Sequence, residues 1–96
     1  MIRSAFSELL DSILKEAVKF YDDRLVSLAV FGSVGRGTPR PDSDVDLLLV
    51  VDPLPPGRIK RVQEFAVVEN GLEDSLRALR AKGIDTYLAP IFKTPE

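Results

Sequence analysis

The chain has no cysteine, no histidine and no tryptophan. Without cysteine there is no thiolate nucleophile, no disulfide and no cysteine-bound metal cluster. Without histidine, a Ser-His-Asp triad, a histidine general base and the common histidine zinc sites are excluded. Chemistry must fall to carboxylates, hydroxyls, lysine, arginine or a bound hard cation. Long apolar runs are also missing. The longest is Leu47-Leu48-Leu49-Val50-Val51, far short of the ~20 residues that span a bilayer. Arg3, Ser4, Ser7 and Glu8 interrupt the apolar residues near the start, so no signal peptide is read there, and a cytoplasmic protein without membrane attachment is expected. Nor is there an excess of basic charge. Thirteen Lys and Arg stand against 15 Asp and Glu, a net charge of −2, which argues against a nucleic-acid partner.

What is present suits one small folded domain spanning residues 1–96, with 45% hydrophobic and 29% charged residues. Phe6, Leu9, Leu10, Ile13, Leu14, Ala17 and Val18 recur at offsets of three and four, which predicts an amphipathic helix from Ser4 to Tyr21 with Ser4 as its N-cap. Leu25 to Phe31 is nearly all apolar and reads as a buried strand. The glycine-rich stretch from Gly32 to Gly37, followed by Pro39 and Pro41, predicts a loop with room for one helical turn. Asp44 to Val51 reads as a second strand. Arg58 to Lys82 reads as one long helix with a kink or break at Asn70-Gly71, capped by Gly83. Ile84 to Ile91 reads as a third strand, at a sheet edge because Pro90 has no N–H to donate. The expected fold is α/β: a small mixed sheet of about three strands with helices packed on it.

One combination in this order carries chemistry. Gly32-Ser33 closes a strand, ten residues follow, and Asp44-Val45-Asp46 opens the next strand. A glycine at a strand end lets backbone N–H groups approach a phosphate, and a serine hydroxyl adds a donor. A helical turn after Ser33 would add its N-terminal dipole. Aspartates at i and i+2 on a strand share a face, with Cα atoms ~6.5–7 Å apart. Carboxylates so placed can hold the hard cations that accompany a nucleotide. Each part alone has a plainer explanation, a turn for Gly-Ser and a solvated strand end for Asp-X-Asp. Asp46, however, is followed by an all-apolar run, and burying it unpaired would cost several kcal/mol. A cation or a firm hydrogen-bond donor is therefore expected beside it.

Taken together, Gly32-Ser33, the Gly-Arg-Gly at 35–37, and Ser43 before Asp44-Val45-Asp46 resemble the signature of the nucleotidyltransferase superfamily that includes DNA polymerase beta. The short chain is similar to the minimal nucleotidyltransferases, many of which pair with HEPN-domain proteins as antitoxins. The resemblance implies that Gly32 and Ser33 hold a nucleoside triphosphate, most simply ATP, and that Asp44 and Asp46 bind Mg²⁺. It places Arg36 near the phosphates; the competing reading is a solvated loop arginine. It also asks for a third carboxylate from a later strand, for which Asp85 is the candidate; the competing reading there is a cap at the strand start. Ser43 is expected to make a turn hydrogen bond, and Tyr21 and Tyr87 to pack rather than stack on a base. The implied activity is Mg²⁺-dependent transfer of a nucleoside monophosphate to a hydroxyl, with a tyrosine of a HEPN-type partner toxin as the expected acceptor and an antitoxin role. The alternatives are a non-catalytic, antitoxin-like binding module and a transferase acting on a small molecule such as an aminoglycoside. A homo- or hetero-oligomer is compatible with either.

Overall fold

A computed structural model describes residues 2–96. The element order is α1 (Ile2–Tyr21), a single 3₁₀ turn (Asp22–Arg24), β1 (Leu25–Phe31), α2 (Gly32–Gly35), β2 (Val45–Val51), α3 (Arg58–Asn70), α4 (Glu73–Ala81) and β3 (Leu88–Lys93). The strands form one sheet in the order β1-β2-β3, with β1 antiparallel and β3 parallel to β2. A parallel return needs a crossover, and α3 with α4 supplies it.

The alternation along β2 shows why the helices lie where they do. Val45, Leu47, Leu49 and Val51 are buried, whereas Asp46, Leu48 and Val50 stay partly exposed. The buried row joins Phe6, Leu9, Ile13, Ala17 and Tyr21 of α1, Phe65 and Val68 of α3, Leu79 of α4 and Phe92 of β3 in a single core. The helices thus bury one face of the sheet and leave the other open. No described helix is long and apolar enough to cross a membrane.

Three expectations are corrected by this structure. First, α1 begins at Ile2, so Ser4 lies inside the helix rather than capping it; partly buried Ile2 packs against the core and extends the apolar stripe backwards. Second, β1 is an edge strand with no fully buried residue, because only β2 pairs with it and its outer face meets no helix. The break allowed for at Asn70-Gly71 is present, and it divides the long helix into α3 and α4. Glu16 of α1 packs so closely on Gly71 that a Cβ would overlap its carboxylate. Leu72 then turns fully into the core. Third, β3 starts at Leu88 rather than Ile84. The Ile84 N–H bonds back to the Leu79 carbonyl and the Asp85 N–H bonds to the Pro41 carbonyl, both at 2.9 Å. Residues 84 and 85 are therefore tied to the end of α4 and to the glycine loop instead of to a strand. The edge position read from Pro90 is the observed one.

At the far end of the sheet, Arg24 anchors the start of β1. Its guanidinium pairs with Glu64 of α3 at 3.0 Å, donates to the Pro53 carbonyl at 2.8 Å, and lies 5.5 Å from the Tyr21 ring centroid. The Tyr21 hydroxyl is buried with no hydrogen-bond partner. Burial first, and the nearby Glu64 carboxylate second, push its pKa up to about 12, against a smaller opposing effect of Arg24. A phenol held neutral in the folded state ionises first in the unfolded chain. Its stabilisation is thus fully present below the unfolded pKa of ~10 and is lost as pH rises from there toward 12. Thermal melts of Tyr21→Phe should lose less stability than wild type between pH 9 and pH 11, a window that straddles that unfolded pKa of ~10. Equal losses in the two proteins would show that Tyr21 stays out of the alkaline transition.

Candidate active site

The glycine loop and the aspartates meet where β1 and β2 end together. Phe31 is the register partner of Asp46, so Gly32, the next residue, turns away directly beside the Asp46 side chain. Gly32 has φ +72°, and a Cβ there would overlap the Asp46 carboxylate, with Asp46 Cγ only 3.3 Å away. Only glycine combines this left-handed backbone with so close a carboxylate. The chain then forms the single turn of α2, where the Arg36 N–H bonds to the Gly32 carbonyl at 3.0 Å. The helical turn allowed for in the loop is therefore present.

Ser33 and Ser43 tie the two halves of the motif together. The Ser33 hydroxyl donates to Ser43 Oγ at 3.0 Å, and Ser43 Oγ accepts from the Arg40 N–H at 2.8 Å. The Ser43 N–H returns to the Arg40 carbonyl at 2.9 Å. Ser43 is buried and makes the turn hydrogen bond expected of it. The Ser33 backbone carbonyl accepts from the Thr38 N–H and hydroxyl, which closes the loop onto itself.

Register extends this picture across the open face. The row through Asp46 runs Phe31–Asp46–Ala89, and the next runs Ala29–Leu48–Ile91. On the other side of Asp46, Asp44 stands next to Tyr87. The Tyr87 carbonyl accepts from the Val45 N–H at 2.9 Å, and Asp44 Oδ1 accepts from the Tyr87 N–H at 3.4 Å. Asp46 thus stands on the open face within β2, and exposed Asp44 stands just before the strand, which begins at Val45 rather than Asp44. The Asp46 carboxylate accepts no hydrogen bond and makes no ion pair among the described residues. Its residue is half-buried.

Two site candidates lie further out. Arg36 is exposed at the end of α2, with no ion-pair partner among the described residues. Asp85 is exposed in the segment before β3, held through its backbone to Pro41. No three carboxylates converge closely enough among the described residues to enclose an ion on their own. The structure thus brings Gly32, Ser33, Asp44 and Asp46 together and leaves Arg36 and Asp85 at the margin. It also corrects the reading of the tyrosines. Tyr21 packs in the core, but Tyr87 is 67% exposed. The signal that would have found it is parity, because residues 85, 87 and 89 alternate onto one face.

A donor set of two carboxylates open to solvent, beside a loop whose backbone can approach a phosphate, suits a hard cation shared with a phosphate-bearing substrate. A Cβ-free approach at Gly32 and an unpaired Asp46 are what such a group would use, so the residues fit Mg²⁺-nucleotide. An open sheet end with this loop and these aspartates has the chemistry to receive a phosphate-bearing substrate.

Residues 11–93 match the family described as "Nucleotidyltransferase domain", and the chain belongs to that family. Over 61 residues it is 39% identical to a Methanocaldococcus jannaschii protein named "Putative protein adenylyltransferase", a stretch covering 64% of this chain and 42% of that relative. The matched stretch thus spans less than half the length of that relative. No solved structure matches the chain.

Proposed function

We propose that this domain transfers AMP from ATP to a hydroxyl of an acceptor protein, with Asp44 and Asp46 holding Mg²⁺. The contact between Gly32 and the unpaired Asp46 carboxylate carries the reading. It seats a phosphate-binding turn against a metal-binding carboxylate, so one nucleotide can engage both. In this reading the backbone of Gly32 and Ser33 holds the triphosphate, and Arg36 neutralises part of its charge from the loop. Bound Mg²⁺ would supply the electrostatic stabilisation on which phosphoryl-group chemistry mainly depends. Asp44 orients its carboxylate through the Tyr87 N–H. Asp85, on the β3 side, takes the acceptor proton as the third carboxylate.

A protein acceptor is supported by the open face beside the aspartates. Phe31 is 43% exposed and Ile91 46% exposed, and a docking protein surface would cover such apolar groups while excluding water from the reacting atoms. The name of the archaeal relative points to the same acceptor class. The resemblance to minimal nucleotidyltransferases supports a HEPN-type protein as partner, with a tyrosine as its acceptor.

A second reading, a non-catalytic module that inactivates its partner by occlusion, is favoured by one observation. Asp85 is exposed, outside β3, and no three-carboxylate cluster forms among the described residues. Incubation with Mg²⁺, ATP and a folded HEPN-type partner, followed by peptide mass mapping, separates the two. The expected result is AMP on a partner tyrosine. Asp85→Asn should abolish this transfer with little change in stability, since an exposed substitution typically shifts it by no more than ~0.5 kcal/mol. A partner that is bound and inhibited yet unmodified would establish occlusion. Modification of an aminoglycoside or a free nucleotide instead would establish a small-molecule acceptor.

A further inference from the structure

We propose that Tyr87 is itself an acceptor and that the domain adenylylates it in cis. The inference rests on the nucleotidyltransferase reading of Asp44 and Asp46 and adds a modification site to it. Position carries it. The phosphate-binding turn of Gly32 and Ser33 lies on the β1 side of the aspartates, whereas Tyr87 lies on the β3 side, with its backbone N–H on the Asp44 carboxylate at 3.4 Å. A triphosphate held by that turn, with its α-phosphorus over Asp44 and Asp46, points its pyrophosphate toward β1. The attacking oxygen must then arrive from the opposite side, in line with the leaving group. That side is where Tyr87 stands.

The other hydroxyls near the site are unsuited to this role. Ser33 donates to Ser43, and Ser43 is buried under the Arg40 N–H. Thr86 is buried at 3% exposure, and Thr38 is bonded to the Ser33 carbonyl. Tyr21, the other tyrosine, is buried at 1% exposure. Tyr87 is 67% exposed, and its backbone lies beside Asp44 and Val45 at the end of β2. Its proximity to the site is built into the sheet, so no diffusional encounter is required.

In the reaction, Tyr87 Oη forms a bond to the α-phosphorus of ATP as the bond from that phosphorus to the oxygen bridging to the β-phosphate breaks. Pyrophosphate leaves with the bond's electron pair, and the phenolic proton passes to a carboxylate or to water. The product is a tyrosyl-AMP phosphodiester overhanging Asp44. It would occupy the route by which any other acceptor reaches the site, so the modified domain would be self-limited.

The test needs only the whole chain, Mg²⁺ and ATP, with intact mass, peptide mapping and Mg²⁺-ATP calorimetry read together. The expected result is one AMP per chain, on Tyr87, with pyrophosphate released in equal amount and a rate constant independent of protein concentration. Tyr87→Phe should lose the adduct and still bind Mg²⁺-ATP, which also shows that the variant is folded. Asp46→Asn should lose both. Intact Mg²⁺-ATP binding with an unmodified Tyr87, or with the adduct on another residue, overturns this inference and leaves the metal–nucleotide site standing. A rate constant that rises with protein concentration overturns the geometry in cis. If wild type does not bind Mg²⁺-ATP, both the inference and the reading beneath it fall.

Discussion

Asp44→Asn and Asp46→Asn are each expected to weaken Mg²⁺-ATP binding by roughly 10–100-fold or more, since even the outer-shell partners of a metal ligand carry that much. Neither variant should lose much stability. Asp44 is exposed and already accepts a hydrogen bond from Tyr87, so an amide there changes little in the fold. Asp46 is half-buried with no partner among the described residues, so an isosteric amide there breaks no hydrogen bond or ion pair. The Asp46→Asn melting temperature should match that of wild type while binding collapses. That contrast marks a residue kept for function rather than for stability. Calorimetric titration with Mg²⁺-ATP alongside thermal melts checks both halves. Undiminished affinity in both variants removes the metal assignment.

The second large effect is expected at Gly32. Gly32→Ala forces an L-residue to φ +72°, a conformation that costs ~1–2 kcal/mol. Its new methyl must also displace the Asp46 carboxylate. For a domain of this size each kcal/mol lowers the melting temperature by roughly 4–8 °C, and nucleotide binding should fall with it. Gly83→Ala is the control, because Gly83 has φ +83° but nothing within 4 Å of where a Cβ would stand. It should melt lower through the same backbone strain and bind Mg²⁺-ATP as wild type does. If both alanines affect binding alike, the Gly32 effect is general destabilisation. If only Gly32→Ala loses binding, its contact with Asp46 is responsible.

Much of the fold could be read from local pattern because local pattern is what periodicity reports. The stripe from Phe6 to Val18 marks α1, and the strand pattern through Val51 marks β2 and predicts one face for Asp44 and Asp46. The missing N–H of Pro90 marks an edge. The family could be read for a similar reason: Gly32-Ser33 and Asp44-Val45-Asp46 are compact, and their spacing is itself a chain-length statement. Where partners come from distant sequence, the pattern was silent. An apolar run such as Leu25 to Phe31 looks alike at the centre or edge of a sheet, because burial depends on neighbours that other segments provide. The break at Gly71 could be read from the glycine itself, but not the close approach of Glu16 from α1. Asp85 left its strand because Pro41 and the end of α4 compete for the backbone around it.

Residue types, spacing and alternation were thus enough to decide the α/β class, the place of the two aspartates where β2 begins and the kind of chemistry open to a chain without cysteine or histidine. Tertiary structure alone decided that Gly32 touches Asp46, that Asp85 stands outside β3, and that Tyr87 faces solvent beside Asp44. The first set follows from covalent order and side-chain period. The second depends on strand register and on which sheet face the helices cover, and both are settled by contacts between segments far apart along the chain.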